Sequence, residues 1–192
     1  MLSMDAHSLL RAAFDAARSE PRHEVTPQAL HAARSRAWVK ALGNELRRAH
    51  AGDDSVRVFT KGDRSNTKDF GLTELLYDVC VCRVAPVPSA TKGKTLWYVK
   101  EPLWQVESEL AKDSFEALKE FNKLVLGAAP TKVFVGPLVH DPDAFVEVLR
   151  PAAMCCSGTV HCALIPHPEE WDALAGSIVL HTLVGSRWVR RE

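Results

Sequence analysis

The chain has 192 residues, 46% of them hydrophobic, and its 24 basic and 24 acidic side chains cancel to a formal net charge of zero. That is apolar material enough for one ordinary domain and excludes a disordered chain, while zero net charge excludes a protein that coats nucleic acid indiscriminately. No apolar run approaches the roughly 20 residues of a membrane-spanning helix, and the odd total of 5 cysteines fits a reducing compartment better than a disulfide framework.

Met1–Arg18 carries Asp5, His7, Arg11 and Asp15, which argues against a secretory signal and for a cytoplasmic protein. Ser3 is placed to cap a first helix with Leu9, Leu10, Ala13, Phe14 and Ala17 on one side. Pro21 ends it, and residues 19–26 form a linker. The expected organisation is therefore an N-terminal helix and linker over 1–25 and a single domain over 26–192. A second helix opens at Thr26-Pro27, with Thr as cap and Pro at the first helical position. Leu30, Ala33, Ala37, Trp38, Ala41, Leu42, Leu46 and Ala49 form its apolar stripe, and Glu45 sits at the stripe's border.

A turn at Ala51–Asp54 leads to a short strand, Val56–Thr60, and then to the polar, basic segment Lys61–Phe70. Two apolar runs follow, Leu75–Ala85 and Thr95–Val106, joined by the turn-rich Pro86–Lys94. The first run is apolar on both faces, as in an inner strand covered on both sides. Alternation puts Leu75, Tyr77, Val79 and Val81 on one face and Leu76, Asp78, Cys80 and Cys82 on the other. Pro102 predicts a bulge or bend in the second run. That run ends in Gln105, Glu107 and Glu109, which share a face if the strand continues.

Ser114–Leu126 has the period of an amphipathic helix, with Phe115, Leu118, Phe121, Leu124 and Val125 inward and Gly127 as its stop. Thr131–Val135 is a strand. Asp141–Leu149 is a helix that stops before Pro151. Thr159–Ile165 and Ser177–Val184, the latter reaching towards Val189, are strands separated by a helical turn around Glu169–Ala175. The order predicts an α/β chain with a mixed central sheet flanked by helices.

Asp78, Glu107 and Glu109 would converge if the two central runs pair, and such a cluster is costly unless a cation or a partner answers it. Asp78 could equally be satisfied by a backbone amide or by Arg83. Glu107 and Glu109 could lie in water beside the following helix, and Lys123 could simply pair with Glu120 on its own helix.

A helix, three strands, a helix and a strand, with one acid on the second strand and an acidic pair closing the third, resembles the PD-(D/E)XK nuclease superfamily over about Thr26–Gly136. The resemblance implies a restriction-endonuclease-like core (αβββαβ) with a C-terminal extension. In the family's Asp…Asp/Glu-x-Lys motif, Asp78 takes the first place, Glu107 the second, Ser108 the spacer, and Glu109 stands where Lys is usual. Some members use Glu there and others move the Lys to the next helix, where Lys123 matches, with Lys112 behind it. Glu45 matches the acid that recurs on the family's first helix. The implied activity is Mg²⁺- or Mn²⁺-dependent hydrolysis of phosphodiester bonds in DNA or RNA. Asp78, Glu107 and the Ser108 carbonyl would hold the metal, and Glu109 or Lys123 would orient or deprotonate the attacking water.

Residues 34–68 hold nine basic against four acidic side chains, an excess of five. Lys61, Arg64 and Lys68, with Lys92 and Lys94 in the connecting loop, are the expected contacts to a nucleic-acid backbone, and a solvated basic face is the plainer reading. A catalytically inactive module that binds nucleic acid or a protein is the competing function, since Glu109 replaces Lys. Cys80, Cys82, Cys155, Cys156 and Cys162 show no zinc-ribbon spacing, and reduced buried thiols are the expectation. The C-terminal strand, bearing Arg187 and Trp188, offers an edge to a second copy or to another protein.

Overall fold

The computed structural model describes residues 5–21, 23–24, 26–172 and 178–191. Helix α1 (Ala6–Ser19) is capped by Asp5, whose carboxylate accepts from the His7 and Ser8 amides. Ser3, the expected cap, lies outside the described residues. Helix α2 (Pro27–Ala49) starts where Thr26-Pro27 places it, with Thr26 Oγ1 accepting from the Ala29 amide.

Strand β1 (Val56–Thr60) and a short helix, α3 (Thr67–Phe70), lead to the long strands β2 (Val79–Pro88) and β3 (Thr95–Ser108). Helix α4 (Ser114–Val125), strand β4 (Thr131–Pro137), helix α5 (Pro142–Met154) and strand β5 (Thr159–Ile165) follow. A 3-10 turn at Pro168–Glu170 precedes β6 (Val179–Val184) and β7 (Arg187–Arg191). The seven strands form one mixed sheet in chain order, parallel at β3–β4 and β4–β5 and antiparallel elsewhere. The two parallel pairs are those joined through the longer helices α4 and α5, since a parallel connection needs a crossover.

Helices cover both faces, so the inner strands are apolar on both sides. Phe14 of α1, Trp38, Leu42 and Leu46 of α2, and Val79, Val81, Val106, Val133 and Val135 of the sheet form one cluster. Phe121 and Leu124 of α4 and Leu149 of α5 pack on Cys80, Cys82, Phe134, Cys162 and Leu164 on the opposite face. Helix α1 is thus buried with α2 and the sheet. Gly43 brings α2 close to β1, because a Cβ there would stand 2.5 Å from Thr60 Oγ1.

Several expectations give way to local geometry. Strand β2 starts four residues after Leu75, because Leu76 turns the chain with φ 64° and stands 86% exposed. The turn breaks the alternation, so Tyr77 joins Cys80 and Cys82 instead of Val79 and Val81. Two register shifts, between Val81 and Cys82 and between Arg83 and Val84, bracket the partner position of Pro102, which is the bulge that residue predicts.

Phe115 is 73% exposed, because α4 buries Ala117, Phe121 and Leu124, a stripe that leaves Phe115 on the outer side. Gly127 follows the cap residue Leu126 and is required for packing: a Cβ there would overlap the Gln105 carboxamide oxygen. Helix α5 continues through Pro151 to Met154, where tertiary packing of Ala153 outweighs the one hydrogen bond that proline removes. The C-terminal run folds into a hairpin at Gly185, whose φ of 61° suits glycine. Residues 173–177, which include the expected strand start Ser177 and the helical turn's end Ala175, lie outside the described residues. Among the described residues no helix is long and apolar enough to cross a membrane.

Candidate active site

The turn at Leu76 delivers Asp78 to the end of the β2–β3 pair, one residue before Val79 pairs with Val106. Asp78 Oδ2 accepts from the Ser108 amide at 3.0 Å, one of the alternatives the sequence leaves open for this carboxylate. The other alternative, Arg83, is engaged by Glu101 and Asp53. Ser108 Oγ in turn accepts from Trp38 Nε1 at 3.0 Å. Strand β3, the turn before β2 and helix α2 are therefore tied at one point.

Glu107 lies beside them on the α4 face and is 1% exposed. Its Oε2 stands 3.3 Å from Lys123 Nζ, while Oε1 is buried with no hydrogen-bond partner. Lys123 also pairs with Glu120, and its backbone carbonyl accepts from the Tyr77 hydroxyl at 3.3 Å. Burial pushes the Glu107 carboxyl up to about 8; repulsion from Asp78 adds to this and the Lys123 ammonium opposes it. Burial likewise raises Asp78, against the Ser108 amide and the nearby Lys61 and Lys123 charges. Burial lowers Lys123, but the Glu120 and Glu107 carboxylates outweigh it and leave the ammonium above its ordinary value.

Asp78 also lines a cavity of about 810 Å³ between α2, the end of β1 and the Lys61–Arg64 loop. Arg36, Lys40, Arg47, Lys61 and Arg64 face it against Asp63, Asp78 and Glu109, and Trp38, Val39 and Leu110 supply apolar wall. Arg47 is ion-paired with Asp63, which fixes the loop to α2.

Asp78 is thus bonded to Ser108 and Glu107 is paired with Lys123, the two pairs near enough for the Asp78 charge to raise Glu107, while Lys61 and Arg64 line the same cavity as Asp78. Glu109 lies beyond the end of β3, lines the cavity, and spends Oε1 on the Ala111 amide at 2.7 Å. The shared face expected for Gln105, Glu107 and Glu109 ends with the strand. Glu45 is elsewhere: it bonds Arg48 at 2.5 and 2.6 Å in a shallow depression against α1. Its place on the border of the α2 stripe turns it towards α1, away from β2. Lys68 sits on α3 outside the cavity lining. Lys92 and Lys94 lie past the far end of the β2–β3 pair, whose β2 strand has ten residues from Val79 to Pro88, or about 30 Å along the strand at ~3.3 Å per residue.

The sequence reading missed Arg36, Lys40 and Arg47, although with Asn44 they recur at helical spacing, a polar stripe legible in α2. It also missed Lys132, fully buried on β4, whose Nζ donates to Ala129 O, Ser157 O and Ser157 Oγ at 2.8, 2.6 and 3.1 Å. No local signal marks a lysine for burial. Among the described residues all five cysteines are free thiols.

The orphaned Glu107 oxygen and the Asp78 carboxylate are oxygen donors of the kind a hard cation takes. Among the described residues there is no group of three or more His, Cys, Asp or Glu side chains placed to hold a metal. No family model matches the chain, and no curated protein or solved structure matches it.

Proposed function

We propose that this chain is a metal-dependent, nuclease-like domain with a restriction-endonuclease-like core that hydrolyses phosphodiester bonds in DNA or RNA. The observation that carries this reading is the buried Glu107 oxygen left without a partner, on a carboxyl paired with Lys123 and within electrostatic reach of Asp78, which itself lines a cationic cavity. The succession α2, β1, β2, β3, α4, β4, with β4 parallel to β3, agrees with the core that the superfamily resemblance implies.

Asp78, Glu107 and the Ser108 carbonyl would hold Mg²⁺ or Mn²⁺. Such an ion, when bound, supplies Lewis acidity and lowers the pKa of water. Lys123 Nζ would hold a water or answer charge developing on a phosphoryl oxygen. Glu109, at the cavity wall with Oε2 free of the Ala111 bond, is the candidate to accept a proton. Lys61, Arg64 and Arg36 would hold the flanking phosphates.

The test is cleavage of single- and double-stranded DNA and RNA by the purified chain in Mg²⁺ or Mn²⁺. Asp78→Ala and Glu107→Ala should each abolish it, and cleavage surviving both overturns the site. A binding module without catalysis is the second reading, favoured by the Lys123 ammonium already beside Glu107 and by the lack, among the described residues, of a third acid placed with the pair. Calorimetric titration separates the two: Mn²⁺ binding lost in Asp78→Ala supports the enzyme, and no binding supports the module.

A further inference from the structure

Strand β1 pairs with β2 only as far as Arg83, and β4 pairs with β3 only from Trp104 onward. Val84–Pro88 and Thr95–Val99 therefore continue as a two-stranded ribbon with no third strand beside it among the described residues. At ~3.3 Å per residue the ribbon projects about 16 Å. One face is partly covered, with Val84 buried and the Arg57 guanidinium 5.5 Å from the centre of the Trp97 ring. On the other face Val87 pairs with Leu96 and Ala85 with Tyr98. Val87, Leu96 and Tyr98 are 40%, 52% and 48% exposed.

Charge decides what this face suits. Lys92, Lys94 and Lys100 have no carboxylate partner among the described residues. Glu101, the acid at the ribbon's base, is held by Arg83 at 2.9 Å. The ribbon thus offers three uncompensated cations around an apolar and aromatic face, on a chain of zero net charge. A second copy of the chain would bring the same lysines against these. A polyanion with apolar edges answers both features.

We propose that the ribbon is a DNA-docking arm that enters the major groove of a B-form duplex, resting on the nucleic-acid reading above and setting its substrate as an extended duplex. A major groove about 12 Å wide admits a two-stranded ribbon, and thymine methyl groups give Val87, Leu96 and Tyr98 apolar contacts. The deep, narrow major groove of an RNA duplex does not admit one. The ~30 Å along β2 between Asp78 and the ribbon tip corresponds to about nine base pairs at 3.4 Å each. A duplex shorter than that cannot occupy both places.

The test is fluorescence anisotropy of the full chain in EDTA, so that nothing is cut. The probes are hairpin-capped DNA duplexes of about 6 and about 20 base pairs and an RNA duplex of about 20. The longer DNA should bind at least tenfold tighter than the shorter. Lys92→Ala/Lys94→Ala should remove that advantage, leave the short duplex and the RNA within twofold, and reduce the slope of log Kd against log salt by about two. Unchanged affinity of this variant for the longer DNA overturns the proposal, as does an equal loss on RNA. So does a wild-type dimer in sedimentation that Leu96→Glu splits without altering DNA affinity. Ribbon-dependent binding with no cleavage in Mg²⁺ would leave the arm standing and remove the catalytic reading. Cleavage sensitive to Asp78→Ala but indifferent to the ribbon would do the reverse.

Discussion

Among the ionisable side chains buried on the α4–α5 face of the sheet, Lys132 and Glu107 are treated in opposite ways. Lys132 on β4 has three donors and three oxygen acceptors, so its desolvation is fully answered. Glu107 on the neighbouring strand has one oxygen beside Lys123 and one with nothing. Gln105 stands between them, paired in register with Lys132 and two residues before Glu107. A buried charge with every bond made clamps loops together: here Ala129 before β4 and Ser157 before β5. A buried charge with a bond missing costs stability, and a fold keeps it where something else completes it.

The contrast can be broken with the largest loss of stability at Lys132. Lys132→Met leaves the buried Ala129 carbonyl and the two Ser157 oxygens without their donor and should cost about 3 kcal/mol. Urea unfolding would show it, and a loss under 1 kcal/mol would mean the loops find other donors.

Glu107→Gln should act in the other direction and with pH. Because burial raises the Glu107 pKa from 4.5 to about 8, its stabilising contribution is whole below pH 4.5 and fades as pH climbs through 8. The wild type should therefore lose stability across that window. The Gln variant, with no proton to lose, should gain up to about 5 kcal/mol over it at pH 9 and nothing at pH 4. Parallel melting curves for the two proteins would refute the assignment.

Gly127→Ala addresses the residue between them. The added Cβ displaces the Gln105 oxygen from the Ala129 amide, a bond of 3.1 Å, and should cost about 1.5 kcal/mol. The smallest expected effect is at Glu45. Glu45→Gln removes an intrahelical pair with Arg48, should cost at most about 0.5 kcal/mol, and should leave any cleavage rate within twofold. A tenfold loss there would restore Glu45 to the site.

Much of the scaffold is written locally. Thr26-Pro27 marks the start of α2, and β1 and β5 have the bounds that their apolar residues suggest. What was not legible depends on partners distant in sequence. The positive φ of Leu76 moves Tyr77 to the other face, and no propensity in Leu75-Leu76-Tyr77 announces it. Pro151 stays helical because the helix around it is packed. For the candidate site, alternation along β3 put Glu107 on the face of Gln105, and the pairing of the two apolar runs brought Asp78 to the Ser108 amide. Spacing along a helix could place Glu45 at the edge of a stripe but not choose which neighbour that edge meets. The fate of Lys132 rests on two loops that meet only after β4 and β5 pair.

The order of strands across the sheet has a consequence for biosynthesis. Each strand neighbours the one made just before it, so the sheet can grow by addition at one edge as the chain emerges, with no need to hold a gap open for a later arrival. One contact that runs against this order is the ring of Trp171, buried edge-on 5.1 Å from Phe14. The first helix therefore waits for almost the whole chain before it is locked, and a ribosome-bound fragment that stops short of residue 171 would carry that helix with its anchor missing.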